Sequence, residues 1–392
     1  MTTLNYSHPS QYGFIKKSLF SVGCGKNFFI LLLVITAFLS ILYLYALKFD
    51  KNITGFMVIG DYFKAPQIWT KKTLIHQNSV GYDGQYYYYI AHDPFIQGGT
   101  YDHIDFPAYR YQRIVYPLAV WAFSLGRPGL IPWMMVAVNL AAVLLGVWVV
   151  LLMLREFGHS PWYTLLFAGF LGFLLCLLRS LPEPLAMAFI LLAVFFHFKG
   201  KIVPQGLFLS LGALTQETTL LVSLAFFLYY LGKKDFLKSL FICLPPVVYF
   251  LWQVYIYSKF GLFSFIGGTQ NFGLPFWGLV EKGVTLTRGG LHYEKIAEIL
   301  YILSVGWIVL LAFFEIFRKI TPLSLTLLGY AWMAVCFNHL IWVEPWSYAR
   351  ATLGLLTFNF LIFTKEGRRL NLVPMFLTPL IFLFYLLSMD LF

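Results

Sequence analysis

Charged residues are scarce in this chain. They make up only 11% of its 392 residues, whereas a soluble protein carries about 25%. Cysteine is rare as well: only four occur and none lies in a long predicted loop, which excludes a disulfide framework and a metal motif of the CxxC type. P-loop, GxGxxG and GxSxG patterns are also missing. These absences exclude a soluble enzyme built on one of those motifs and a disulfide-stabilised secreted domain.

Long apolar runs take the place of the missing charge. Hydrophobic residues reach 59%, and many runs approach the roughly 20 residues that cross about 30 Å of hydrocarbon. The pattern predicts an all-α membrane protein with about eleven transmembrane helices, in which residues 1–392 form one polytopic domain. The predicted spans lie near 28–47, 130–154, 162–178, 184–198, 203–216, 218–232, 239–257, 296–317, 322–343, 349–364 and 371–391.

Lysine and arginine in the short loops predict the orientation. If segment 1–27 is cytoplasmic, the inside segments hold half of the 28 basic residues, and the short outside loops hold only Arg179 and Arg350. The basic residues form short clusters between apolar runs, so the net charge of +11 indicates topology and headgroup contact with membrane lipids rather than a nucleic-acid partner. We expect a multi-pass protein of the plasma (bacterial inner) membrane with a cytoplasmic N-terminus and a retained signal anchor.

Two long segments, 48–129 and 258–295, interrupt the series of predicted transmembrane helices and fall on the predicted extracytoplasmic face. The first is rich in Tyr, Asp, His, Lys and Arg. Its apolar end, 114–125, is too short to span, which is typical of an interfacial helix. The second segment carries basic residues that we expect beside a lipid access groove, namely Lys259, Lys282, Arg288, His292 and Lys295.

The most distinctive local pattern is the stretch 81–89, which reads Gly-Tyr-Asp-Gly-Gln followed by four tyrosines. Asp83 within it has two interpretations. A pKa raised by the apolar boundary would suit a general base, and a position just before a helix would suit an N-cap. The tyrosines are typical of an interfacial belt, with stacking against a sugar as the alternative.

Several arginines fall on the same predicted face. Arg110 and Arg113 are three residues apart and share one side of a helix. They would either grip a lipid phosphate or contact headgroups nonspecifically. Arg350 opens a predicted helix and is a second candidate phosphate ligand, with an ion pair to Glu344 as the alternative.

Acidic residues also gather on that face. Glu183 and Glu217 lie in short turns at outer helix ends, where they are functional groups, ordinary turn residues or, for Glu183, a partner of Arg179. A metal site is a further hypothesis, although the spacing of its ligands matches no known motif and we expect no metal. Its candidate ligands would be His92, Asp93, Asp102, His103 and Asp105.

Two stretches of the first outer segment resemble polytopic GT-C glycosyltransferases. Residues 82–91 (YDGQYYYYIA) and 113–118 (RIVYPL) look like the Y-D-G-Q-F/Y-Y and R-x-x-Y-P-L patterns of bacterial members, and glycosylphosphatidylinositol mannosyltransferases have a looser counterpart. Residues 181–185 (LPEPL) and 214–218 (LTQET) look like the E-P-L and L-T-R-E-T elements of the bacterial group. Gln216 stands where that group often has Arg.

The resemblance implies sugar transfer on the extracytoplasmic face. The donor would be a polyprenyl-phosphate sugar and the acceptor an envelope glycan, lipid or protein, with inversion, without a nucleotide sugar and without a metal or other cofactor. An acidic residue of the first outer loop is the expected catalytic base, and its position here is Asp83. The expected substrate-binding residues are Tyr82, Gln85, Tyr86, Arg110, Arg113, Arg179, Glu183, Gln216, Glu217 and Arg350.

Three other functions stay open. A transporter or flippase for a lipid-linked or anionic solute would place ionisable residues along a path near the bilayer midplane, whereas here they fall at one face. Another membrane transferase, for acyl or phosphoethanolamine groups, would need a nucleophile or a His or metal centre. A noncatalytic assembly subunit would need neither.

Overall fold

The computed structural model describes residues 24–63, 65, 68, 70–288 and 292–388. It is 76% helical, and the described part of the chain folds as an all-α membrane protein. Its helices up to the middle of the chain are α1 (Cys24–Leu47), α2 (Asp83–His92), α3 (Pro107–Tyr111), α4 (Val115–Phe123), α5 (Ile131–Glu156), α6 (Thr164–Ala168), α7 (Leu171–Leu178), α8 (Glu183–Phe198) and α9 (Ile202–Thr215).

The second half continues the helical chain with few interruptions. Its helices are α10 (Thr219–Gly232), α11 (Phe236–Ile242), α12 (Leu244–Phe260), α13 (Trp277–Thr287), α14 (Tyr293–Arg318), α15 (Pro322–Val335), α16 (His339–Trp342), α17 (Pro345–Ala351), α18 (Leu353–Glu366) and α19 (Val373–Ser388). Two strands of two residues, β1 (Ile59–Gly60) and β2 (Ile75–His76), pair in parallel within the first long segment. Short 3-10 helices fill several connections, at Ile53–Met57, Thr100–His103, Pro161–Tyr163, Ser264–Asn271 and Arg369–Leu372.

Among the described residues, four helices are long and apolar enough to cross a membrane: Gly25–Leu47, Pro128–Glu156, Phe236–Phe260 and Tyr293–Arg318. A fifth span results if the pair α6 and α7, bent by 52°, counts as one. The predicted number of about eleven spans is therefore not confirmed.

The shorter apolar helices explain the difference in span number. α8 has 16 residues, and α9, α10 and α15 have 14 each. A helix of 14 residues rises only about 21 Å, less than the roughly 30 Å of a hydrocarbon core. Glu183 begins α8 and Gln216 caps the end of α9, and both line an internal cavity. These helices thus end at a polar site inside the protein.

The most deeply buried elements are α7 and α18, which pack in the centre of the molecule. All eight residues of α7 are buried, as are residues 353–364 of α18. α7 also lies directly against α17. A Cβ added at Gly172 would be 2.5 Å from the carbonyl oxygen of Ala349, so only glycine permits this approach. The contact fixes α17 beside the buried centre and thereby positions the next residue, Arg350.

The first long segment folds as short helices packed on the bundle. α2 begins at Asp83, and its N-cap is Tyr82, so the predicted N-cap role of Asp83 is wrong. Residues 86–89 are at most 4% exposed, because α2 packs against α4 and α5. The predicted interfacial belt of tyrosines is therefore wrong. The expected interfacial helix at 114–125 corresponds to α4, and its Tyr116, Pro117 and Val120 are buried.

Candidate functional site

A cavity of about 460 Å³ lies where α2, α3, α8, α12, α15, α16 and α17 meet. Its polar side chains come from parts of the sequence far apart in the chain. Asp83 is the first residue of α2, Glu183 is the first residue of α8, and Arg350 lies in α17. The sequence-predicted residues that line this Asp83 cavity are Asp83, Arg110, Arg113, Glu183, Gln216, Glu217 and Arg350.

Asp83 is held between two arginines. Its Oδ1 lies 3.1 Å from Nη2 of Arg110, and its Oδ2 accepts a hydrogen bond of 2.7 Å from Nη1 of Arg350. The same Nη1 lies 3.8 Å from Oε1 of Glu183. Arg350 therefore bridges two carboxylates, and the alternative pairs Arg350–Glu344 and Arg179–Glu183 do not form.

These neighbours determine the acidity of Asp83. Burial alone would raise the pKa of its carboxyl group, but the positive charges of Arg110 and Arg350 lower that pKa well below its usual value. The expectation of a raised pKa is thus wrong. In the free protein Asp83 is an ionised carboxylate that accepts hydrogen bonds readily and takes up a proton only weakly.

Arg110 is shared between two carboxylates. Its Nε and Nη2 donate to the two carboxylate oxygens of Asp105 at 2.9 and 2.7 Å, in a bidentate arrangement. Its guanidinium also lies over the ring of Tyr86, 4.6 Å from the centroid. Tyr86, predicted as a substrate ligand, is 4% exposed and supports Arg110 instead.

Arg113 forms the second bidentate pair of the cavity. Its Nε and Nη2 donate to Glu217 at 2.9 and 2.6 Å, and its remaining donors reach the hydroxyls of Tyr87 at 3.0 Å and Tyr109 at 3.1 Å. Both arginines are thus paired with carboxylates within the protein. The alternative of nonspecific headgroup contact for Arg110 and Arg113 is wrong, because both are at most 9% exposed.

Carboxylates outnumber arginines in this cluster. Arg110, Arg113 and Arg350 face four acidic side chains, namely Asp83, Asp105, Glu183 and Glu217. The excess negative charge favours a neutral polyhydroxylated ligand or a group that develops positive charge. Each arginine of the cluster already faces a carboxylate, so an anionic group can bind here only by taking over one of these pairs.

Four predicted site residues lie outside the Asp83 cavity, namely Tyr82, Gln85, Tyr86 and Arg179. The ring of Tyr82 lies between two guanidiniums, with Arg350 at 5.5 Å and Arg179 at 5.3 Å from its centroid. Gln85 is fully buried, and its amide accepts from the Gly60 nitrogen at 3.0 Å and donates to the Val80 oxygen at 2.6 Å. Gln85 therefore stabilises the loop before α2 and is not placed to contact a substrate.

A hydrogen-bonded group of three side chains at the cavity, Gln112, Tyr249 and Ser264, was not predicted from the sequence. Gln112 lines the cavity, and its Oε1 accepts from the hydroxyls of Tyr249 and Ser264, each at 2.8 Å. Gln112 lies between the two predicted arginines, so its position was a usable indication. Tyr249 and Ser264 are more than 130 residues away in the chain, and no local pattern marks them.

The segment 258–295 contributes apolar and neutral side chains to the cavity. Phe265 and residues 268–272 line it. The described basic residues of this segment do not. Lys282 is 5% exposed and pairs with Glu298 at 3.0 Å, and Lys259 lies over the ring of Tyr255. The predicted role of these basic residues at a lipid access groove is not supported by their positions.

Among the residues that the structure describes, no group of three or more His, Cys, Asp or Glu side chains could hold a metal ion. Several candidate ligands have other partners. Asp93 accepts from the backbone nitrogens of Gln97 and Gly98, both at 2.7 Å. Asp105 binds Arg110. The hypothesis of a metal site in this segment therefore has no geometric basis in the described chain.

No protein-family model, curated protein or solved structure matches this chain. The resemblance to GT-C glycosyltransferases therefore stays a prediction from the motifs at 82–91, 113–118, 181–185 and 214–218. Geometry adds one independent fact. The acidic and basic residues of all four motifs come together, since Asp83, Arg113, Glu183 and Glu217 line one cavity.

Proposed function

We propose that this protein is an integral membrane glycosyltransferase that moves a sugar from a polyprenyl-phosphate donor to an envelope glycan, lipid or protein. The supporting observation is the Asp83 cavity itself, in which the partly buried carboxylate of Asp83, two further acids and three arginines converge from distant parts of the sequence. The proposal includes about eleven spans, some of them short or broken, a cytoplasmic N-terminus and an extracytoplasmic cavity.

In this reaction Asp83 acts as the general base. An acceptor hydroxyl donates its proton to the carboxylate as its oxygen attacks the anomeric carbon. The new carbon–oxygen bond forms while the bond from that carbon to the phosphate oxygen breaks, so the configuration inverts. The leaving phosphate carries its negative charge away, and no general acid is required.

The excess of carboxylates supports this chemistry. The transition state of glycosyl transfer carries positive charge on the sugar ring, as an oxocarbenium ion does. Glu183 and Glu217 place negative charge around the cavity, which stabilises such a transition state. Carboxylates also accept hydrogen bonds from sugar hydroxyls, and a side-chain amide such as that of Gln216 can both accept and donate them. A lipid-linked sugar thus fits the cavity better than a simple anionic solute.

Arg350 connects donor binding to the basicity of Asp83. Its guanidinium bonds Asp83 at 2.7 Å and lies beside Glu183. A phosphate that takes over this guanidinium removes part of the positive charge around Asp83, and the pKa of Asp83 then rises towards the range of a useful base. Asp83 would therefore become reactive only when a phosphorylated donor is bound.

The cavity wall also suits a lipid substrate. Phe265, Phe272, Met333, Phe337 and Ile341 line it beside the polar cluster. Such a surface gives an isoprenoid chain apolar contact close to the phosphate. A water-soluble nucleotide sugar would leave that surface exposed.

The proposal is tested by removing the gene from its host and analysing lipid extracts. If the protein consumes a polyprenyl-phosphate sugar, this donor accumulates and the corresponding glycan loses a sugar, and both changes revert when the native protein is restored. An unchanged lipid profile together with an unchanged glycan profile would contradict the proposal.

A further inference from the structure

A second cavity, of about 260 Å³, is lined by Arg179, whose guanidinium lies 5.3 Å from the ring centroid of Tyr82. It is formed where the end of α1 meets the loop before α2 and the start of α17. Its basic side chains are Lys48, His76 and Arg179, and its aromatic side chains include Tyr45, Phe49 and Trp346. Among the described residues, no acidic side chain lines it. We call it the Arg179 cavity.

Arg179 keeps its charge available in this cavity. Its guanidinium lies 4.0 Å from the ring centroid of Trp346 and 5.3 Å from that of Tyr82. Two aromatic faces hold the guanidinium in place without neutralising it. Arg179 pairs with no carboxylate among the described residues, and its buried Nε has no hydrogen-bond partner there. A buried donor of this kind destabilises the protein unless a ligand or a water molecule accepts its hydrogen bond.

Two further groups, His76 and Lys48, line the cavity beside Arg179. The Nε2 atom of His76 is buried and has no partner in the described part of the chain. Burial and the nearby charge of Arg179 lower the pKa of His76, so at neutral pH its ring is uncharged and offers one N–H. Lys48, at the exposed end of α1, adds positive charge. A planar guanidinium and an imidazole N–H together match a phosphate oxyanion.

The position of the cavity indicates a lipid as the carrier of that phosphate. Tyr45 and Phe49 reach it from the end of α1, which is long and apolar enough to span a membrane. The end of such a helix lies at the level of the lipid headgroups, where phosphates are concentrated. In the Asp83 cavity, by contrast, Arg110, Arg113 and Arg350 are paired with carboxylates, and a phosphate there has to take over one of these pairs.

From these contacts we propose that the Arg179 cavity binds the phosphate group of a membrane lipid. Arg179 grips the phosphate, His76 donates one hydrogen bond, and the aromatic side chains contact the first part of the lipid chain. This binding does not depend on sugar transfer, so the two proposals stand or fall separately.

Binding is measured on the purified full-length protein in maltoside detergent, without acceptor, by thermophoresis with three probes: farnesyl phosphate, phosphatidylglycerol and inorganic phosphate. Arg179→Gln is expected to weaken lipid binding by about tenfold or more, since hydrogen bonds to a charged group are lost. Arg127→Gln is the matched control, because Arg127 is exposed and lies outside both cavities. It is expected to bind as the native protein does.

Each outcome decides the proposal. If binding depends on Arg179 and farnesyl phosphate binds more tightly than phosphatidylglycerol, the ligand is an isoprenoid carrier. If phosphatidylglycerol binds more tightly, the ligand is a bulk phospholipid. Both results support the site. Equal binding of native protein and Arg179→Gln, or inorganic phosphate binding as tightly as the lipids, would overturn it. If Arg179→Gln does not fold, Arg179→Lys retains the charge but loses the planar stacking. Native-like lipid affinity in that folded variant would also overturn the site.

Discussion

The buried pair of Arg113 and Glu217 gives a stability prediction that can be worked out from distances and exposure. Glu217→Gln keeps the shape of the side chain but removes its charge. The Arg113 guanidinium, with a side chain only 8% exposed, is then left with the hydroxyls of Tyr87 and Tyr109 and no counter-charge. Loss of one member of a buried ion pair costs about 3–5 kcal/mol. The Glu217 side chain is 27% exposed, so water compensates in part, and we expect about 2–3 kcal/mol.

The assay is reversible unfolding in mixed maltoside and dodecyl sulfate micelles, followed by circular dichroism. Glu156→Gln is the matched control because it removes a 2.8 Å ion pair to Lys199 in which both side chains are 30–31% exposed. Partly exposed pairs of this kind contribute below about 1 kcal/mol. The control should therefore lose much less unfolding free energy than Glu217→Gln.

A double-mutant cycle separates the pair from its surroundings. The combined variant Arg113→Gln with Glu217→Gln removes both charges at once. It should lose less free energy than the sum of the two single variants, with a coupling of about 1–3 kcal/mol. Additive losses, or a Glu217→Gln cost equal to that of Glu156→Gln, would refute the reasoning about charge matching in the cavity.

Two other substitutions follow from the geometry around Asp83. Gly84→Ala would place a Cβ 2.2 Å from the carbonyl oxygen of Arg179. The free energy of unfolding should therefore fall by about 1–3 kcal/mol or more. Gly283→Ala is the control, because there is open space around Gly283, and it should be neutral or stabilising in the same assay. Arg350→Gln removes one of the three positive charges that lower the pKa of Asp83, those of Arg110, Arg350 and Arg113. That pKa then rises, and the acid limb of the pH–rate profile for sugar transfer should move to higher pH. An unshifted acid limb would contradict the assigned pairing.

Part of the site could be predicted because apolar runs and basic loops in the sequence assign each turn to one face of the membrane. Apolar runs and basic loops placed Asp83, Glu183, Glu217 and Arg350 on one face, and these four residues line one cavity. Their pairing could not be predicted in this way. Arg350 reaches Asp83 across 267 residues, and Arg113 reaches Glu217 across 104. The predicted rise of the Asp83 pKa was wrong for the same reason, because the shift depends on the charge of the distant residue Arg350.

The helical structure of the chain could be predicted from the sequence, but the burial of individual side chains could not. The four tyrosines at 86–89 have the composition of a membrane interface, yet they pack inside the protein. An aromatic ring with a polar tip suits both environments, so composition alone cannot distinguish them. The number of spans has a similar limit, because α8 and α9 meet polar turns at the cavity and stop short of a full crossing.

The role of Asp83 is tested most directly by Asp83→Asn. Native protein and variant are reconstituted at equal amounts in liposomes with the polyprenyl-phosphate sugar that accumulates when the gene is removed, and transfer to acceptor is followed over time. Loss of a general base lowers the rate by about 10²–10⁴-fold, whereas Asp102→Asn, at an exposed position of the same segment, should leave it unchanged. Near-native turnover by a folded Asp83→Asn protein would contradict the account.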